Sequence, residues 1–325
     1  MGGGRDLTAR LAPASLKDLG ALLAFATASH ARAAAFLVVV SLIAFLPGFF
    51  NIPPVDRDEA RFAQATRQMI ESRDYVDIRF QDEVRYKKPV GIYWLQAAAV
   101  KAGEAVGISD AHTTIWLYRL PSLLGAIGAV LLTYWAALAF VSRRFAYLAG
   151  LMMASSVLLN VEARLAKTDA VLLLCCVAAM GVMARAYLRQ SLGRDVSWGH
   201  ACMLWTGVAV GILVKGPVIL MVMGLAAVAV SIADRSARWL LRLRPLPGII
   251  WVLLLVLPWF VAIMTKSGDA FLQDSVGGDL LSKLFRGQES HGAPPGYYLL
   301  LFWLTFWPAA PLAAVAAPAA WRDRR

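Results

Sequence analysis

Apolar runs close to the thickness of a bilayer follow one another through this chain. They fall at Ala33–Phe50, Leu120–Val141, Phe145–Leu159, Ala170–Leu188, Ala201–Val214, Val218–Ala233, Ile249–Met264 and Tyr297–Trp321. A spanning helix needs roughly 17–25 apolar residues. Lipid offers no partner to backbone N–H and C=O groups, so only helices and closed barrels cross it. The runs predict an all-α, polytopic membrane fold of about eight transmembrane helices. Several are short and must be tilted or partly unwound. The first run reads as an uncleaved anchor.

Composition agrees: the chain is 59% hydrophobic and only 16% charged, where soluble domains carry about 25% charged residues. The net charge of +11 reflects Lys and Arg held at one membrane face, and no nucleic-acid partner is expected. With the N-terminus in the cytoplasm, Arg143, Arg144, Arg185, Arg189, Arg194, Arg235, Arg238, Arg242, Arg244 and Arg322 all fall inside, as the positive-inside rule requires. The outside then receives 51–119, 160–169, the turn Lys215-Gly216-Pro217 and 265–296. The whole chain, 1–325, reads as a single transmembrane domain. Cys175, Cys176 and Cys202 lie in apolar runs and read as small buried residues. No GxGxxG or Walker loop is present, which argues against a nucleotide site.

The outer loops hold the chemistry. VDRDEARFAQATRQMIESRDY, from Val55 to Tyr75, puts Asp58 and Glu59 after a Pro-Pro turn. Phe62, Ala65, Met69 and Ile70 then recur at helical spacing, with Arg61, Gln64, Arg67 and Glu71 between them, an amphipathic helix suited to the membrane interface. Asp58 is a candidate acid-base group or the N-cap of that helix. Val90–Val106 predicts a second helix on or half in the surface. The preceding Tyr86-Lys87-Lys88-Pro89 is an interfacial anchor or a phosphate site at a helix start. Asp169 opens an apolar run beside Glu162, Arg164 and Lys167, and ionisable residues at such a mouth default to functional candidates. Lys215 lies between two apolar runs, where it snorkels to water or meets an anion. The last outer loop offers Glu289 and His291. One His and one Glu fall short of a zinc set, so no cofactor is expected, a divalent metal being the weaker alternative.

DEARFAQATRQMIESRDY followed by RYKKPVGIYW resembles the polyprenol-phosphate-dependent membrane glycosyltransferases of the GT-C fold, in particular the aminoarabinose lipid A transferases and the wider protein-mannosyltransferase-like family. The family's Asp-Glu pair, Lys-Pro element, Thr-Asp site, Lys-Gly-Pro turn and a loop like QESHGAPPGYY occur here in order from Phe50 to about Trp307. The resemblance implies that Asp58 is the essential acid, with Glu59 and Arg61 in its motif. It implies that Lys88 lies near the donor phosphate, helped by Lys87 or Lys215 and by Arg61, and that Asp169 is the second acidic position. Tyr86, Glu289 and His291 would belong to the substrate-binding loops. Lys87 stands where the aminoarabinose branch tends to have Glu. Members of the family are usually longer, so a short homologue or one part of a longer product, lacking a C-terminal region, is expected.

The function implied is an inverting transfer of a sugar from a polyprenyl-phosphate donor to a lipid A, glycan or protein acceptor. It would take place at the periplasmic face of the bacterial inner membrane. The alternative is a transporter or flippase of an anionic lipid-linked substrate. Against it stands the scarcity of ionisable residues in the middle of the helices.

Overall fold

The structure, a computed structural model, describes residues 13–190, 196–268 and 296–322. Helices dominate it. α1 (Pro13–Ala26) and α2 (His30–Phe45) meet at a bend of 112°, where the Ser29 hydroxyl caps α2 by accepting from the Arg32 N–H at 3.1 Å. α3 (Arg57–Ser72), a two-residue-per-strand hairpin of β1 (Arg79–Phe80) with β2 (Glu83–Val84), and α4 (Gly91–Ala105) form the large loop region. The bundle continues with α5 (Ile115–Ala137), α6 (Arg143–Ser155), α7 (Val157–Glu162), α8 (Asp169–Gln190), α9 (Trp198–Lys215), α10 (Val218–Ala233) and α11 (Pro245–Ser267). α12 (Tyr297–Thr305) and α13 (Ala310–Arg322) end the described chain.

The chain is a multi-pass membrane protein. Among the described residues α5, α8, α9 and α11 are long and apolar enough to cross a membrane, and the bent pair α1–α2 makes a fifth candidate. The count of eight is therefore approximate, and two of the expected spans are broken. The run Phe145–Leu159 divides at Ser156, whose hydroxyl donates to the Thr305 carbonyl at 3.1 Å. The run Tyr297–Trp321 divides near Pro308, which has no N–H to continue a helix.

α5 against α8 is the most extensive helix pair, and α9 packs on the other side of α8. Gly125 of α5 permits the first: a Cβ there would sit 3.0 Å from the Ala170 backbone. The amphipathic stripe of α3 is covered by protein, with Phe62 4%, Ala65 0% and Met69 2% exposed. It packs on Tyr93, Val90 and Leu213, so the face expected to meet lipid faces α4 and α9. α4 buries Ile92, Tyr93, Gln96 and Val100 and leaves Trp94, Leu95 and Val106 exposed.

Candidate active site

The N-terminus of α3 is capped by Asp56. Its Oδ1 accepts from the Asp58 N–H at 2.7 Å, which meets one of the donors that a helix start leaves unpaired. Asp58 is thereby relieved of the capping role. It lies in the first turn, its side chain 46% exposed, with the Arg61 guanidinium 3.7 Å away. Its negative charge also acts on the Tyr93 hydroxyl, to which Arg85 Nε donates at 3.3 Å. Burial pushes that phenol up to about 12, so it stays a neutral donor.

Glu59, one residue on, is fully buried. Arg119 of α5 donates from Nε to Oε1 at 2.7 Å and from Nη2 to Oε2 at 3.2 Å. The same guanidinium reaches the carbonyls of Phe49 at 2.9 Å and Ile52 at 2.8 Å, and the Ala166 N–H donates to Glu59 Oε1 at 3.1 Å. Gln96 donates to the Ala166 carbonyl at 3.2 Å while accepting from Thr66 at 2.6 Å. Buried and bonded on every side, Glu59 positions the start of α3 on the loop before α8.

That loop carries the second cluster. Lys167 Nζ lies 3.2 Å from Asp56 Oδ2 and 3.6 Å from Glu162 Oε1. Burial would raise the Asp56 pKa, but the Asp58 N–H and the Lys167 ammonium together hold it below the usual value. Burial would likewise lower the Lys167 pKa, yet Glu162, Asp56 and Asp169 raise it. Glu162 goes the other way: burial, then the charge of Asp169, lift its carboxyl above the ordinary range, and Oε2 is buried with no hydrogen-bond partner among the described residues. Asp169 Oδ1 accepts from Lys215 Nζ at the end of α9. Lys215 therefore reaches a carboxylate.

Gly91 brings the helix that follows the Lys-Lys-Pro element against the end of α9. A Cβ there would meet the Leu213 carbonyl oxygen at 2.7 Å, so α4 begins against α9 two residues before Lys215. Lys88 is half-buried and Lys87 exposed. Tyr86 is buried and its hydroxyl donates to Asp77 at 3.1 Å. Glu289 and His291 lie outside the described residues. Among the described residues no three His, Cys, Asp or Glu side chains are grouped to hold a metal ion.

Glu162 and Asp169 stand at the charged end of a cavity of about 500 Å³. Apart from Ser156 and Thr305 the rest of its wall is apolar, with Leu159, Leu172, Leu173, Val222 and Phe306 prominent. A long hydrocarbon fits such a wall, and a charged head fits its mouth.

Sequence reasoning placed Asp58, Lys88, Asp169 and Lys215 at one surface, and the structure links the elements that carry them. It missed the capping role of Asp56, which it gave to Asp58, as well as Arg119 and the bridging role of Lys167. Asp56 was legible: an Asp directly before the helical periodicity, with Glu59 three residues later, is a capping-box spacing.

The family profile described as dolichyl-phosphate-mannose-protein mannosyltransferase matches residues 35–270. An undecaprenyl phosphate-alpha-4-amino-4-deoxy-L-arabinose arabinosyl transferase of Pectobacterium carotovorum is 25% identical over 303 residues, covering 90% of this chain and 51% of that protein. A protein of the same name from Aeromonas salmonicida is 26% identical over 290 residues, covering 85% and 50%. The crystal structure of ArnT from Cupriavidus metallidurans bound to undecaprenyl phosphate superposes with a TM-score of 0.74 at 22% identity, covering 89% of this chain and 50% of that one. The chain thus spans about half the length of the relatives it matches.

Proposed function

Because the chain belongs to the dolichyl-phosphate-mannose-protein mannosyltransferase family, we propose that it transfers a sugar from a polyprenyl-phosphate donor to a lipid A, glycan or protein acceptor. One observation carries this reading: an acid free of capping duty, Asp58, is tied through Asp56 and Lys167 to the charged mouth of an apolar cavity. The donor's isoprenoid chain lies along Leu172, Leu173 and Phe306, and its sugar phosphate lies at the mouth. The names of the curated relatives support an undecaprenyl-phosphate-linked sugar as the donor.

Asp58 takes the proton from the acceptor nucleophile as it attacks the anomeric carbon. The bond from that carbon to the phosphate oxygen breaks, the configuration inverts, and the electron pair leaves with the polyprenyl phosphate. Lys215, Lys88 and Lys87 face the growing negative charge, and charge-assisted contacts in a dry site are the strong ones. Arg61, 3.7 Å from Asp58, adds to the positive charge that meets the phosphate. Asp169 orients Lys215. The charged end faces the periplasm across a bacterial inner membrane, with the N-terminus cytoplasmic, as the run of Arg-bearing loops supports.

The test is a reconstituted reaction with labelled polyprenyl-phosphate sugars and membrane extract as acceptor. Release of free polyprenyl phosphate with label in a new product supports transfer. Movement of the lipid across the bilayer unchanged would replace it with transport.

A further inference from the structure

α9 runs from Trp198 to Lys215, 18 residues, so its two ends are about 27 Å apart at 1.5 Å per residue. That is close to the hydrocarbon thickness of a bilayer, about 30 Å. With Lys215 at the charged cluster, Trp198 sits at the opposite membrane interface. There a second cavity, about 240 Å³, is lined by Trp198, Cys202, Trp205, Arg244, Gly248 and Trp251. Trp198 and Trp251 are 62% and 40% exposed, so the cavity opens outward between α9 and α11.

Its chemistry is two-sided. The wall is aromatic and apolar, as befits glycerol and the first methylenes of an acyl chain. Arg244 supplies the charge. Its guanidinium lies 3.8 Å from the centre of the Trp198 ring, a cation–π stack that fixes the planar donor fork. Arg244 Nε is buried with no hydrogen-bond partner among the described residues. The pocket is braced by Trp205, whose Nε1 donates to the Leu243 carbonyl at 2.8 Å, and by Trp251, whose Nε1 donates to Thr206 at 3.0 Å. Arg235 and Arg238 are exposed on the segment leading to it, which extends the positive field. A half-buried guanidinium beside three tryptophans at an interface matches an anionic headgroup with its chain attached. Basic pockets between helices recognise anionic lipid heads in this way, and a zwitterionic head brings a cation that Arg244 repels.

We propose that this cavity is a binding site for an anionic phospholipid, with the phosphate on Arg244 and the glycerol and upper chains against Trp198 and Trp251. The site is separate from the proposed sugar-transfer site and holds whether or not that reading does.

The experiment titrates the purified chain in detergent with phosphatidylglycerol or phosphatidylcholine and counts retained lipid by native mass spectrometry. Wild type retains phosphatidylglycerol about tenfold more tightly than phosphatidylcholine, whose choline cation is repelled by Arg244 while the phosphate contact is common to both lipids. Arg244→Asn loses that preference. Asn suits the left-handed backbone at this position, φ 54°, so the charge goes without added strain. Cys202, exposed on the same wall, gives a readout without any variant: phosphatidylglycerol slows its reaction with a maleimide, and phosphatidylcholine does not. Equal retention of the two lipids by wild type, retention unchanged in a folded Arg244→Asn, or maleimide rates indifferent to lipid type would each overturn the proposal.

Discussion

Arg119 and Glu59 form an ion pair with no exposed side-chain surface, Nε to Oε1 at 2.7 Å, between α5 and the first turn of α3. The same guanidinium gathers the carbonyls of Phe49 and Ile52, so the chain leaving α2 is held to the helix that presents Asp58. Removing one partner of a buried pair leaves the other charge stranded, which costs about 3–5 kcal/mol. Glu59→Ala is expected to lose that much in thermal unfolding, with activity falling alongside stability. Glu59→Gln, which keeps an acceptor for Ala166 and Arg119, loses less. A Glu59→Ala protein that melts like wild type would remove Glu59 from this role.

Asp58 should behave differently from its neighbour. It neither caps α3 nor lies buried, and its ion pair with Arg61 is exposed and worth little. Asp58→Asn is expected to slow transfer by about 10²–10⁴-fold with its melting temperature unchanged. Asp56→Ala is expected to lose about 0.5–2 kcal/mol of stability through the cap. Turnover at the wild-type rate by Asp58→Asn would end the assignment of the base.

The two carboxylates around Lys167 predict opposite pH trends. Asp56 has a folded pKa below its ordinary 3.8, so its ionised form stabilises the fold above that value and the contribution disappears as pH falls through the folded pKa. Asp56→Asn keeps the cap, because Asn caps as well as Asp, and loses only this charge. Its melting temperature should lie below that of wild type at neutral pH and converge with it in acid. Glu162 is raised above 4.5 by burial and by Asp169. Its native form binds the proton more tightly, so wild type loses stability as pH rises through that window. Glu162→Gln should equal wild type in acid and exceed it at neutral pH. Parallel melting curves at every pH would contradict both signs.

The legible part of the fold was its apolar periodicity, which needs no tertiary information. α5, α8, α9 and α11 fall where the runs of Leu, Val and Ala placed them. The breaks at Ser156 and Pro308 were less so, because Ser is neutral in a membrane helix until a carbonyl such as that of Thr305 takes its hydroxyl. The face of α3 could be read from Phe62, Ala65 and Met69, but its covering could not: an amphipathic stripe looks the same whether lipid or α4 lies against it. At the site, charge at helix ends marked Asp58, Asp169 and Lys215. The pairing of Glu59 with Arg119 spans 60 residues, and no local pattern reports a contact at that separation.

Gly91 supplies the remaining test, because it joins the cationic loop to the charged cluster. Its α-carbon lies so close to α9 that an added Cβ would stand 2.7 Å from the Leu213 oxygen and 2.8 Å from its carbonyl carbon. Both atoms belong to backbone inside α9 and cannot swing aside. Gly91→Ala therefore pushes the start of α4 away from α9. Overpacking of this kind costs about 1–3 kcal/mol, set against the gain in helix propensity of about 1 kcal/mol that Ala brings over Gly. The net loss of stability should be small, while Lys88, three residues before Gly91, is carried away from Lys215. Donor affinity should fall by more than melting temperature predicts, read as a raised KM for the polyprenyl-phosphate sugar with expression intact. Gly103→Ala is the control, since the atoms it meets are the flexible methyls of Leu117 at 2.8 Å and 3.0 Å. Equal donor affinity in the two variants would show that the α4–α9 contact does not place the lysines.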